Sequence, residues 1–391
     1  MKIERRDRGW MKQLKTALGV VLLLILISNI WTISKWNESR GVYDDICYLR
    51  QAHLFQRFGA SGLDTNIARD DDRYMLRKLQ DIHFPDPGDP ARLPCHTFTA
   101  VLNKVVLQYP PGTGFVLALF PPGFQVISLY VAASVAIFAF ALLGLVRAAT
   151  RSTVALAGVF GIVALYLMIN PTKASYSVAP TMVVCALAGF LTARLFANIG
   201  ARRILLASLV GLLIGLSVNF RLPNLFLSAG YAVFFLIAFL RARNMNTFWQ
   251  GLSFGIAFLI GMAPTLIANA INAGSPFSTT YGGVDAVSPE LNAAVLQQYV
   301  RDGQFPLLLI AIAWVVALWR SEGRVATKEI VAVVALNLVI NLIFFISHPI
   351  FTSYYLMPIV MLSLWTLLFA TLDHWAPKLA CDVGLPQKAS T

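Results

Sequence analysis

The sequence predicts an all-α membrane protein with about ten transmembrane helices and a large first outer loop that carries amphipathic helices. Three observations carry this expectation. Of 391 residues, 57% are hydrophobic and only 13% are charged, whereas soluble domains run nearer a quarter charged. The apolar residues come in blocks of roughly 17–24, the length that crosses a hydrocarbon core of about 30 Å. Lysine and arginine recur in alternate connections between the blocks, as they do in the short cytoplasmic loops of membrane proteins.

Taken in order, segments 14–34, 123–146, 153–170, 178–197, 204–220, 224–240, 248–271, 305–319, 330–347 and 354–371 are the expected spans. The first follows Lys2, Arg5, Arg6, Arg8, Lys12 and Lys15. A signal peptide would have a shorter apolar region and a small-residue cleavage site, whereas bulky residues run from Trp31 to Trp36. The block therefore reads as a retained span with its N-terminus in the cytoplasm. Arg147 and Arg151, then Arg194, Arg202 and Arg203, then Arg241 and Arg243, then Arg320, Arg324 and Lys328 fall on that same side, as do Lys378 and Lys388. About 18 of the 31 basic and about 6 of the 19 acidic residues lie there. The whole net charge of +12 is thus on one face, spread thinly over loops. A sequence pI near 9.7 accordingly reflects topology, and a nucleic-acid partner is excluded.

Residues 1–391 read as a single polytopic domain with two long outer loops, 35–123 and 273–304. The first opens with a helical pattern over Tyr43–Phe58, turns acidic at Asp70, Asp71 and Asp72, and passes through a proline-rich stretch from Pro85 to Pro94. A short apolar run, Phe115–Phe120, then ends at Pro121-Pro122-Gly123. It is too short to span and reads as an interfacial helix. Cys47 and Cys95 share this loop. In an oxidising outer compartment they can form a disulfide closing about 49 residues; two unpaired thiols are the alternative. Cys185 falls within a span and Cys381 in the tail.

Several chemistries lack their residues. No His-Glu-x-x-His or paired Cys-x-x-Cys spacing, P-loop or dinucleotide-binding glycine pattern occurs. The spans are poor in ionisable groups of the kind that couple transport to protons or ions, and Asn337 and Asn341 suit helix packing. The charged and polar candidates collect at the outer boundary. Asp44 and Asp45 head the loop helix, Lys173 lies between spans three and four, Arg221 ends span five, Arg301 precedes span eight, and His348 and Tyr354 flank the start of span ten. Lysine or arginine can pair with a phosphate while a carboxylate serves as a base. On the loop helix Asp44, Tyr48, Gln51 and Phe55 share a stripe, with Asp45 about 100° around the axis. Each feature also has a plainer explanation. A helix dipole favours acids at its start, and basic residues commonly anchor span ends.

Four segments in this order resemble the polytopic GT-C glycosyltransferases, the superfamily that includes protein O-mannosyltransferases and lipid A aminoarabinose transferases. Gly41-Val-Tyr-Asp44-Asp45-Ile-Cys-Tyr48 is similar to the family's acidic motif after the first span. Tyr109-Pro-Pro-Gly112, with the apolar run after it, resembles the Tyr-Pro-Pro segment. Asn272-Ala-Gly274-Ser-Pro276 through Tyr281 resembles the Gly-x-Pro…Tyr segment, and His348 through Tyr354-Tyr355-Leu-Met-Pro358 the segment opening a late span. The acidic pair is Asp-Asp where the family often has Asp-Glu, and Tyr354 stands where it often has arginine.

The resemblance implies an inverting transferase that moves a sugar from a polyprenyl-phosphate carrier to an acceptor hydroxyl on the non-cytoplasmic side. Asp44, with Asp45 second, would be the base. Tyr48, Lys173, Arg221, Tyr281, Arg301, His348 and Tyr354 would bind substrate, with Arg221 and Lys173 foremost on the phosphate. The run after Tyr109 would border the lipid's access. The partners implied are a lipid-linked sugar donor, membrane lipid, and a glycan, lipid or protein acceptor. No metal ligand is assigned; some members bind a divalent cation, which the resemblance admits without requiring. A bacterial inner membrane, with both termini cytoplasmic, suits the disulfide and the short loops. The alternatives are a lipid-linked oligosaccharide polymerase or ligase, which would place paired arginines in late outer loops, and a non-enzymatic transporter or flippase, which would show inverted repeats and broken helices.

Overall fold

The computed structural model describes residues 2–38, 43–89, 92–281, 288–321 and 325–382. The side chains of 2–8, Asp44 and 374–382 lie outside that description, as do the expected cytoplasmic residues Arg324 and Lys388. The long helices are α1 (Lys2–Ile33), α5 (Gln125–Arg147), α6 (Arg151–Leu167), α7 (Val178–Ala197), α8 (Gly200–Val218), α9 (Ala229–Ala242), α10 (Met245–Ala273), α12 (Gln304–Arg320), α13 (Val325–Ile346) and α14 (Met357–Asp382). Each coincides with one expected segment. Among the described residues eight helical stretches are long and apolar enough to cross a membrane. They number nine if α11 (Ala293–Arg301) and α12, bent by 80°, count as one. The chain is therefore an integral, multi-pass membrane protein.

The helices alternate in direction, and contacts join ends that this threading puts on one side. Lys15 Nζ donates to the Val146 carbonyl at 2.9 Å, Arg203 pairs with Glu329 at 2.9 Å, and Arg147 lies 3.6 Å from Asp373. This is the N-terminal end of the bundle; the opposite end is its loop end. Helix α14 runs through the middle, with Leu362, Trp365 and Phe369 wholly or almost wholly buried. Being enclosed on every side, it carries apolar residues all round. Helices α8 and α10 cross most closely. A Cβ at Gly215 would strike the Phe258 carbonyl, and one at Gly261 the Leu212 carbonyl.

Pro264 lies inside α10 and leaves the ladder beside it to be completed by another helix. Asn219, one residue past α8, donates to the Gly261 carbonyl at 2.7 Å and accepts from the Thr265 amide at 2.9 Å and its hydroxyl at 2.8 Å. Gly261 and Thr265 are an i, i+4 pair whose backbone groups are thus satisfied by one side-chain amide, as a broken helix at membrane depth requires. Asn337 and Asn341 pack helices as expected. They donate to the carbonyls of Leu227 and Phe226, in the 3₁₀ turn Leu222–Ser228, each at 2.9 Å.

The loop end is built by α2 (Tyr43–Phe58), α3 (Tyr74–Asp81), α4 (Gly112–Ala118) and a hairpin of β1 (His96–Thr99) and β2 (Lys104–Leu107). The hairpin is a small departure from the all-α expectation. Helix α2 has the expected bounds but a different environment. Every residue from Asp45 to Ala52 is buried, so α2 is enclosed and lacks a single apolar stripe. The amphipathic member is α3, which buries Met75 and Leu79. Cys47 and Cys95 form the expected disulfide, which ties α2 to the segment entering the hairpin. Arg50, fully buried, clamps the loop by donating to the carbonyls of Thr65 at 2.9 Å and Asn66 at 3.0 Å. Its Nη1 faces His96 Nε2 at 3.4 Å, while His96 Nδ1 lies 2.7 Å from the Pro94 carbonyl. That network fits a neutral imidazole with its proton on Nδ1.

Helix α4 begins three residues before the expected apolar run and stops at Ala118. Gly112 permits its docking. The Gly112 amide donates to the Asn219 carbonyl at 2.7 Å, and a Cβ at Gly112 would sit 2.7 Å from the Asn219 side chain. Phe115 and Leu119 remain exposed.

Candidate functional site

A cavity of about 540 Å³ opens at the loop end, where six separate stretches of chain converge. Helix α2 supplies Tyr48, the Tyr-Pro-Pro segment Tyr109, and the α6–α7 connection Ser175 and Ser177. The exit from α8 supplies Arg221, the segment after α10 Thr279 and Tyr281, and the α13–α14 connection His348, Thr352, Tyr354 and Tyr355. The walls are aromatic. Tyr48 stacks on Tyr109 with ring centroids 5.0 Å apart, and Tyr109 is tilted against Tyr281 at 6.0 Å. Thr280 holds the last two together by donating to the Gln108 carbonyl at 2.8 Å.

Arg221 is the charged group of this cavity. Its backbone is extended where α8 unwinds into the turn Leu222–Ser228. Asn224 fixes that break by donating to the Ser217 carbonyl at 2.8 Å and the Thr181 hydroxyl at 3.1 Å. The guanidinium lies over the rings of Tyr354 and Tyr355, 4.5 and 5.5 Å from their centroids. Residue 221 is only 7% exposed. Among the described residues no carboxylate pairs with it and no acceptor takes its N–H groups, and no Asp or Glu lines the cavity. Cation–π contacts of this kind contribute about 0.5–2 kcal/mol, less than the several kcal/mol of desolvating a charge. The site is therefore poised to receive an anion. The tyrosine pair is in turn held by Gln304, fully buried, which accepts from the Leu356 amide at 2.7 Å and donates to the Thr352 carbonyl at 3.2 Å.

The expected site residues divide into those the cavity gathers and those it does not. Tyr48, Arg221, Tyr281, His348 and Tyr354 all line it. His348 stacks on Phe344 at 5.7 Å and approaches Tyr355 at 5.8 Å. Lys173 does not join Arg221. It lines a separate groove with Trp36, Tyr166 and Asp302. Ser175 and Ser177, two and four residues on, line the Arg221 cavity instead, so the connection forms a partition between the two. Arg301 ends α11 on an exposed surface away from the cavity. Asp45 is fully buried and accepts from the Tyr176 amide at 3.1 Å, so it braces the partition rather than lining the cavity. The Asp44 side chain lies outside the described residues. Among the described residues no three His, Cys, Asp or Glu side chains converge as metal ligands.

Tyr109, Tyr355, Ser175, Ser177 and Thr352 join the site without having been singled out as binding residues. The paired aromatics of Tyr354-Tyr355 and the prolines after Tyr109 were the available signals. Asn219 and Gln304, which position the Arg221 segment and the tyrosine pair, gave none beyond a polar residue at a span end.

A second, apolar groove of about 600 Å³ is lined by residues adjacent in sequence to those of the cavity, Phe220 beside Arg221 among them. It is lined by Phe55, Phe115, Leu216 and Phe220, and by Pro111 and Gly112, neighbours of Tyr109. Fold and site together define a multi-pass membrane protein with a cationic, aromatic-walled cavity at one end of its helix bundle. Comparison of the chain with protein-family models, with curated proteins and with solved structures returned no match.

Proposed function

We propose that this chain is a membrane glycosyltransferase of the GT-C type, with ten spans and both termini in the cytoplasm, which transfers a sugar from a polyprenyl-phosphate carrier to an acceptor hydroxyl. The observation that carries the reading is Arg221, a buried cation without a carboxylate partner among the described residues, facing a cavity walled by tyrosines. Aromatic faces and edges suit a sugar ring, and a guanidinium suits a phosphate oxygen pair. The apolar groove lined by Pro111 and Phe220, sequence neighbours of Tyr109 and Arg221, offers room for the isoprenoid chain. The charge bias supports a non-cytoplasmic position for the cavity, and the disulfide suits a bacterial inner membrane.

In this mechanism the acceptor oxygen attacks the anomeric carbon as the bond to the lipid phosphate oxygen breaks, with inversion. Asp44 takes the hydroxyl proton. Arg221 stabilises the charge that grows on the leaving phosphate. Asp45, bonded to the Tyr176 amide, keeps the Ser175–Ser177 wall in position.

The test measures thermal stabilisation of the purified protein by a polyprenyl phosphate and by the matching polyprenol. A clear preference for the phosphate, lost in Arg221→Ala, is expected. Equal stabilisation by both lipids, or an undiminished preference in Arg221→Ala, would falsify the site. Asp44→Asn is expected to bind the phosphate normally and to lose transfer.

A further inference from the structure

At the N-terminal end, far from the Arg221 cavity, α9, α12 and α13 enclose a groove of about 670 Å³. Its walls are apolar side chains of membrane-spanning helices, and its floor is opened by two small residues of α13, Ala332 and Ala335. Two arginines close one end. Arg241 lies in the last turn of α9 and Arg320 is the last residue of α12. Among the described residues neither guanidinium has an ion pair or hydrogen-bond partner; residues 322–324 lie outside the description. A third cation is fixed at the same corner. Lys328 donates to the carbonyls of Trp319 and Ser321, and its ammonium lies 5.5 Å from the Trp319 ring centroid. The only carboxylate near the start of α13 among the described residues, Glu329, is paired with Arg203.

The dimensions select the occupant. Along α13 the groove runs from Val331 to Val339, about 12 Å. That is close to half the hydrocarbon thickness of about 30 Å, the depth of one leaflet. A soluble anion would leave the apolar length empty, and a zwitterionic lipid would leave the cations unbalanced. We infer that this groove is a binding site for an anionic phospholipid of the leaflet on the N-terminal side, with its acyl chain on Ala332 and Ala335 and its phosphate on Arg241 and Arg320. Trp319, more than half exposed at the mouth, sits where interfacial indoles belong.

The site is tested by native mass spectrometry of the full chain released from nanodiscs of equal phosphatidylglycerol and phosphatidylcholine. Wild type is expected to retain phosphatidylglycerol preferentially. Arg241→Ala with Arg320→Ala should lower that retention about five-fold for each arginine removed. Ala335→Trp keeps both charges and fills the floor, and should also expel the lipid. Arg202→Ala removes an exposed cation of the same side outside the groove and should change nothing. No preference in wild type would overturn the proposal. So would full retention in Ala335→Trp, or a loss in Arg202→Ala as large as in the pair, which would indicate diffuse attraction to the basic face. Melting curves in detergent confirm that each variant is folded.

Discussion

The guanidinium of Arg221 lies over the ring of Tyr354, 4.5 Å from its centroid, although 133 residues separate them in the chain. A basic group absent from the α13–α14 connection is thereby delivered to it from the end of α8. The ring packs against the cation where it lines the cavity.

In the proposed transfer, removal of that cation should abolish stabilisation of the departing phosphate. Arg221→Ala is expected to reduce sugar transfer at least about 100-fold, with the melting temperature nearly unchanged because the side chain makes no hydrogen bond to other described residues. Arg221→Lys keeps the charge and loses the flat fork, and should restore only part of the activity. Tyr354→Phe preserves the ring and should leave affinity for the lipid phosphate within about two-fold, whereas Tyr354→Ala should weaken it. Steady-state transfer assays and lipid titrations separate these effects.

Asn219 should be a stability determinant. Replacement by Leu removes the amide that serves Gly261 and Thr265 beside Pro264. A loss of about 1–3 kcal/mol is expected for the unsatisfied buried groups, read as a lower melting temperature in detergent. Because Asn219 anchors the end of α8 two residues before Arg221, the variant should lose lipid-phosphate binding at temperatures where the bundle is still folded.

The Cys47–Cys95 disulfide should stabilise the loop end by about 2–4 kcal/mol. Cys47→Ser with Cys95→Ser is expected to speed proteolysis within 59–107 while the spans keep their helical signal. Alkylation of the non-reduced wild type should modify neither cysteine; labelling of both would overturn the bridge.

The loop end should also weaken in acid. Burial first, and the neighbouring Arg50 second, hold the His96 imidazole down at about 3. The ring is enclosed although the residue keeps some surface. In the unfolded chain the same group titrates near 6.5, so between these values the unfolded state binds more protons. Stability contributed by His96 is therefore complete above about pH 6.5 and falls as the pH drops toward 3, by at most about 1.4 kcal/mol per pH unit. Melting curves from pH 7.5 to 4.5 should show this slope, and His96→Gln should flatten it.

What the sequence made legible follows from which physical quantity each feature depends on. The long helices could be placed to within a few residues because hydropathy is local and a bilayer demands long blocks of it. Helix α2 was found with its bounds, but its burial on all sides was not. Gln51 and Arg50 are polar residues that α4 and the hairpin cover from distant positions in the chain. The hairpin itself has four residues a strand, too few for an alternating pattern to stand out. Lys173 and Arg221 were grouped because both lie at one depth relative to the membrane. Depth is one coordinate of three, and in the plane of the membrane the Ser175–Ser177 partition separates them. The pairing of Arg221 with Tyr354 is invisible for the same reason, since it depends on which spans are neighbours.

The stitching of the first loop to distant helices sets an order of biogenesis. Thr65 bonds to Asn272 across 207 residues, and Gln108 to Thr280 across 172. At 5–20 residues per second, synthesis leaves the loop without these partners for about 10–40 s. The disulfide, whose cysteines are only 48 positions apart, can form well before α10 emerges from the translocon. The early cross-link would then hold α2 against the hairpin as a preassembled piece. The cavity itself is completed only when the last span brings Tyr354 under Arg221, so a ribosome stalled before α14 would yield an inserted protein with an open, unfinished site.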